Sequence, residues 1–218
     1  LSLVIVCDRV SGKGAARQLD GEAAPLRALV TKAPLSTGAR LADIFLEWAV
    51  RHAQTTLGHY FDNANVLFFS GQANAKLAAS MAEYTENLQF ADPLLQLGVP
   101  KLLTSLDALH LYASGTHFVT DWAPPRAMPG ALMRDWTHYV LRKAMAHATV
   151  VVAPVHELDG FGLEELAGKT IVTTTVNDER LAAFKAKGVH LVIDGAPVLS
   201  DHVLDPALLD AMILAATG

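Results

Sequence analysis

An α/β fold, Rossmann-like and doubly wound around a mostly parallel sheet, with a short divergent N-terminal segment, is what this sequence predicts. Three observations carry the prediction. From residue 61 onward, short apolar runs alternate with stretches of helical periodicity. Those runs are apolar throughout instead of at every second residue, the pattern of parallel strands covered on both faces. In the last third, Thr170-Ile171-Val172-Thr173-Thr174-Thr175 is dense in β-branched residues that suit a strand. The chain divides into residues 1–60, a strand, loop and helix, and residues 61–218, the Rossmann-like domain.

Each element follows in order. Leu1 to Cys7 reads as a buried strand, and Asp8 to Glu22 as a loop rich in glycine and charge. In Leu41 to Val50 the apolar positions 41, 44, 45, 48 and 49 share one helical face, which places Trp48 in the core. That helix starts near Ser36, Thr37 or Gly38 and stops near Gly58. Val66-Leu67-Phe68-Phe69 is a strand, Ala75 to Tyr84 a helix, and Leu88-Gln89-Phe90-Ala91 a strand that ends at Asp92-Pro93. Leu102 to Tyr112 is helical, His117 to Thr120 reads as a strand, and Leu132 to Met145 is a helix. Between them Asp121 to Gly130 holds three prolines and is irregular, a linker or site loop. Ala148 to Ala153 and Val189 to Asp194 are further strands. Asn177 or Asp178 caps a helix over Glu179 to Ala186, stopped by Gly188. Pro206 to Ala216 closes the chain as a helix with proline at its start.

Composition narrows the function classes. With 218 residues the chain can bury about 70% of its unfolded surface and needs no disulfide or structural metal. Hydrophobic residues make up 51%, charged residues 18%, and mean hydropathy is +0.28, which excludes a disordered chain. A net charge of −5 argues against nucleic acid as a partner, since phosphate binding needs a clustered basic excess. A single cysteine, Cys7, rules out a disulfide framework and fits a reducing, cytoplasmic compartment. No apolar run reaches the length of a membrane span, and the N-terminus lacks the basic region of a signal peptide. The chain does not begin with Met, so its natural start is expected upstream.

The first turn of the alternating region, Phe69-Ser70-Gly71-Gln72-Ala73-Asn74-Ala75, sits where a Rossmann-like sheet holds a nucleotide. Small residues let the backbone approach a pyrophosphate, and the next helix aims its N–H groups at the anion. Ser70, Gly71 and Gln72 are therefore assigned to cofactor binding, although the G-x-G-x-x-G pattern is broken at Ala73 and Lys76. Asp92, 21 residues after Gly71, ends the next strand, where an acid accepts the hydroxyls of an adenosine ribose. Its charge would repel a 2′-phosphate, so the expected cofactor is NAD. The plainer alternative is that Gly71 ends a strand and Asp92 caps the helix beginning at Pro93.

His156 follows the strand ending at Ala153-Pro154, on the same sheet edge, with Glu157 and Asp159 near in sequence. It is the candidate acid/base for hydride transfer. Thr174, within Thr173-Thr174-Thr175, is placed to contact a nicotinamide ribose or carboxamide. Ser11-Gly12-Lys13-Gly14 lacks the leading glycine and the hydroxyl residue of a phosphate loop. The nine histidines form no metal-ligand spacing, so no metal site is expected. There is no G-x-S-x-G elbow for hydrolase chemistry. Trp122 and Trp136 flank the proline-rich loop and are candidates for lining a substrate pocket.

Several of these stretches resemble the quinate 5-dehydrogenase (quinate/shikimate dehydrogenase-like) family. They are Asn65 to Gly71, Phe90-Ala91-Asp92-Pro93-Leu94-Leu95-Gln96-Leu97-Gly98-Val99-Pro100, and Leu166 to Asn177 leading into Lys187-Gly188-Val189. The resemblance runs in order from about Pro34 to the C-terminus. It implies a Rossmann-type fold and a nicotinamide-dependent oxidoreductase acting on a small hydroxylated, quinate- or shikimate-like substrate. It matches Gly71 and Asp92 to cofactor positions and His156 to a histidine after the later strand. Where that family has a Gly-Ser-Gly-Leu-Lys run, this chain reads Gly38-Ala39-Arg40-Leu41-Ala42, without the lysine. That departure motivates the alternative of a non-catalytic Rossmann-type subunit that binds a metabolite or partner, with possible homo-oligomerisation. A transferase using another adenosine cofactor, such as S-adenosylmethionine, is the third expectation.

Overall fold

The computed structural model describes residues 4–5, 35–36, 39–120, 131–160, 166–199, 202–203 and 206–217. Its centre is a five-stranded sheet of β3 (Val66–Phe68), β4 (Leu88–Phe90), β5 (Val150–Val152), β6 (Thr170–Thr173) and β7 (Leu191–Asp194). The strands lie in the order β4-β3-β5-β6-β7 and every pairing is parallel. The fold is thus Rossmann-like and doubly wound. Numbered within the sheet, the order is 2-1-3-4-5, so winding reverses between β3 and β5. On the outer side of β4 stands a single antiparallel bridge, Phe90 to Leu103.

Alternation of side chains across the sheet splits the core in two. Val66, Phe68, Val150, Val152 and Val172 face one way and Leu67, Phe69, Val151, Ala153 and Ile171 the other. The first face is covered by α1 (Ala39–Thr56), α2 (Ala75–Met81) and α4 (Leu106–Thr120) through Leu46, Val50, Leu77, Met81 and Leu109. On the second lie α3 (Asp92–Leu97), α5 (Ala131–His147), α6 (Val155–Gly160) and α7 (Asp178–Ala186), through Leu94, Leu141, Met145, Leu158 and Phe184. The helix α1, last element of the 1–60 segment, is therefore built into the same core as the sheet. Its backbone presses on Gly195, just past β7. A Cβ added there would lie 2.8–3.0 Å from Leu46 atoms, so glycine permits the approach. The remaining elements are β1 (Val4–Ile5) paired parallel with β2 (Leu35–Ser36), β8 (Val198–Leu199) paired antiparallel with β9 (His202–Val203), and α8 (Pro206–Thr217).

Two sequence expectations are corrected. His117 to Thr120 is not a strand but the last turn of α4, which runs on through Gly115, since a single glycine inside a helix costs only about 1 kcal/mol. Trp48 is not core: it is 62% exposed and stands edge-on to Phe45 at 6.0 Å. The face of α1 that enters the core carries Asp43, Leu46, Val50 and Ala53, and is rotated away from positions 41, 44, 45 and 48. Two short helices, α3 and α6, escape periodicity because six residues hold under two turns. The proline-rich stretch 121–130, the Ser11–Gly14 loop and Trp122 lie outside the described residues. No described helix is long and apolar enough to cross a membrane.

Candidate functional site

In a doubly wound sheet the crevice for a ligand opens outside the carboxyl ends of the strands, where winding reverses. Here that point lies between the turn after β3, Phe69 to Asn74, and the turn after β5, Ala153 to His156. The register sets both at one level: Phe68 pairs with Val152, which pairs with Val172. Ser70, Gly71, Gln72, Thr174 and His156 therefore all lie along one sheet edge, as the sequence predicts. His156 is the second residue of α6 instead of a loop residue. Ser70 and Gln72 stand in the turn after β3, His156 follows the adjacent strand β5, and Thr174 follows β6, one strand further. Trp136 is 56% exposed on α5 and stacked obliquely on Tyr139 at 5.6 Å.

The hydrogen bonding at this edge departs from the expected dinucleotide arrangement. Asp92 is fully buried, and its carboxylate turns toward the β3 turn. Oδ2 accepts from the Gly71 N–H at 2.8 Å and Oδ1 from the Gln72 N–H at 3.0 Å. The acid assigned to the adenosine ribose is thus engaged with the two amides assigned to the pyrophosphate. Gly71 itself serves close packing: a Cβ there would lie 2.3 Å from Phe90 Cδ1 and 2.9 Å from Leu109 Cδ2. Burial pushes the Asp92 carboxyl up, and the Gln72 and Gly71 amides partly offset it. Gln96 Nε2 approaches Asp92 Oδ1 at 3.5 Å, and the Tyr112 hydroxyl donates to Gln96 Oε1 at 3.3 Å. Burial, then the neighbouring Asp92 charge, raises the Tyr112 phenol.

The same device recurs twice. Asp43, on α1, accepts from the Lys76 and Leu77 N–H groups at 3.0 and 3.1 Å, so it caps α2 from a different element. The residue preceding α2, Asn74, makes no capping bond and instead donates from Nδ2 to the Ser70 carbonyl at 2.8 Å. Burial raises the Asp43 carboxyl, opposed by those two amides and by the Lys76 charge. At the far side Asp194, ending β7, accepts from Thr175 and Val176 N–H at 2.9 and 2.8 Å and from Ala196 N–H at 2.8 Å. These bonds hold Thr175 at φ 62°, a left-handed conformation uncommon for a β-branched residue. Sequence reading missed the part played by Asp43. Its signal was available: an acid at position 43, in phase with Leu46 and Val50, faces inward and needs donors.

What the edge leaves unpaired is equally specific. Ser70 Oγ, Gln72 Nε2 and Thr173 Oγ1 are buried and find no hydrogen-bond partner among the described residues, in residues 4%, 8% and 1% exposed. A buried polar atom without a partner costs about 1–3 kcal/mol, so native structures hold few of them. A further one, Ser80 Oγ, lies near the far end of α2. Thr173, not the half-buried Thr174, carries the unpaired hydroxyl on β6. At the opposite, amino edge an open hollow of about 310 Å³ is lined by residues including Asn65, Asn87, Gln89, Thr104 and His147. Among the described residues, no side chain lining it leaves a buried polar atom unpaired. Among the described residues no group of three His, Cys, Asp or Glu side chains could hold a metal ion.

Comparison with known proteins finds no match among curated proteins or solved structures. A family model does match, over residues 40–218, which spans α1, the whole parallel sheet and the carboxyl edge just described. The chain belongs to the family described as Domain of unknown function (DUF8754).

Proposed function

We propose that this chain is a Rossmann-like module that binds a small polar molecule in the crevice between the carboxyl ends of β3 and β5. The observation that carries the reading is the pair of buried, unpartnered atoms, Ser70 Oγ and Gln72 Nε2, at the point where this topology receives ligands. His156 lies in the first turn of α6, directly after β5. The single cysteine fits a cytoplasmic setting. The test is calorimetric titration with quinate, shikimate, NAD, NADP and S-adenosylmethionine, repeated on Ser70→Ala and Gln72→Leu. A ligand bound by the wild type and weakened in both variants supports the reading. Equal affinity in wild type and both variants removes it.

An NAD-linked oxidoreductase for a quinate- or shikimate-like substrate is the second reading. It is favoured by the place of His156 in the chain, in the first turn of α6 directly after β5, the strand next to β3. It requires the Gly71 and Gln72 amides and the Asp92 carboxylate to release one another, which the module reading does not. NADH formation from quinate or shikimate, abolished in His156→Ala, would favour it. Absence of turnover in a protein that binds those molecules would leave the non-catalytic module.

A further inference from the structure

We infer that the crevice takes an uncharged, hydroxyl-bearing molecule and discriminates against its phosphorylated counterpart. The inference rests on the crevice reading above and adds the chemistry of its ligand. Phosphate is held in doubly wound folds by free N–H groups of the carboxyl-edge turns and helix starts. Here six of those groups are taken in pairs by carboxylates of the chain itself. The Gly71 and Gln72 amides go to Asp92, those of Lys76 and Leu77 to Asp43, and those of Thr175 and Val176 to Asp194. A phosphate entering the edge meets occupied donors and three carboxylates. Lys76 lies exposed beside Asp43 and is already engaged with it electrostatically.

The groups left for a ligand have a different character. Ser70 Oγ and Thr173 Oγ1 can each donate or accept, and Gln72 Nε2 can only donate. Two hydroxyls and an amide complement the hydroxyl, ether or carbonyl oxygens of a neutral molecule. By strand spacing, β3 and β6 stand about 10 Å apart, the span of a sugar ring with its substituents. The acids thus hold the turns in place and also screen the ligands that reach them.

Matched pairs test this directly: adenosine against adenosine monophosphate, and glucose against glucose 6-phosphate, titrated into the full chain. The expected result is binding of a neutral member with its phosphorylated partner at least tenfold weaker, a gap of about 1.4 kcal/mol or more. That gap should narrow as salt is raised and in Asp194→Asn, which keeps an oxygen acceptor while removing the charge. Asp43→Asn provides the same comparison at the start of α2. Equal or tighter binding of a phosphorylated member overturns this inference and leaves the crevice reading standing. So does a gap that neither salt nor the asparagine variants change. Failure of both pairs while quinate or shikimate, each a carboxylate, binds overturns this inference alone; failure of all of them overturns both.

Discussion

At the scale of single residues, Asp92 shows how one buried acid can organise a turn. Removing its carboxylate in Asp92→Ala leaves the Gly71 and Gln72 amides unpaired in a closed environment, a loss of about 2–5 kcal/mol in unfolding free energy. Urea denaturation measures it. The effect has a definite pH dependence. Burial raises Asp92 above its ordinary value of 3.8, so the folded state holds the proton to higher pH than the unfolded chain does. Its stabilising contribution is therefore largest at acid pH and declines as pH rises from 3.8 through the raised folded value. The difference in stability between wild type and Asp92→Ala should shrink from pH 4 to pH 7; a difference growing with pH would contradict this. Gly71→Ala tests packing at the same turn. The added methyl meets the Phe90 ring and should cost about 1–3 kcal/mol, less in a Phe90→Leu background where that space has been opened.

At the scale of elements, α1 decides which reading of an amphipathic pattern holds. Its residues offer two apolar stripes, one through Leu41, Ile44, Phe45, Trp48 and Ala49, the other through Leu46, Val50 and Ala53. The first contains the larger side chains and is the one periodicity favours. The second is buried because it shares its face with Asp43, whose carboxylate finds donors only at the start of α2. Leu46→Ala should therefore lower stability by about 2–5 kcal/mol, whereas Trp48→Ala should change it by less than about 1 kcal/mol. Thermal or urea unfolding of the two variants would expose an error in this assignment by reversing their order. Helices with a complete signature were legible at their ends. Asn177 accepts from the Arg180 N–H at 2.9 Å at the start of α7, and Pro206 opens α8. By contrast α3 and α6 carry their signals in only six residues each, and α4 extends past the tyrosine where its apolar rhythm fades.

For the whole molecule, five continuous apolar runs separated by helices were enough to establish a parallel sheet and the edge bearing Ser70, Gly71, Gln72, Asp92, His156 and Thr174. The occupancy of that edge was not legible. Sequence spacing shows that Asp92 follows Gly71 by a set interval; it does not show whether the carboxylate faces a ligand or the chain's own amides. That choice depends on burial, and around this turn part of the covering comes from α4, distant in sequence, whose Leu109 crowds Gly71. The same interdependence bears on domain limits. Because Leu46, Val50 and Ala53 complete the core over Val66 and Phe68, a fragment of residues 61–218 should lack a cooperative thermal transition by circular dichroism. A sharp melt from that fragment would show that α1 is an accessory.

The bridge between Phe90 and Leu103 has a consequence of another kind. β4 is an outer strand, and its free side would be a template on which a second chain could add a strand. The two bonds of the bridge, Phe90 N–H to Leu103 O at 2.8 Å and Leu103 N–H to Phe90 O at 3.0 Å, occupy that side at the end of a strand only three residues long. The segment leading into α4 thus acts as a terminator. It stops the sheet from growing and gives an Ala- and Leu-rich chain a defence against edge-to-edge aggregation at high concentration.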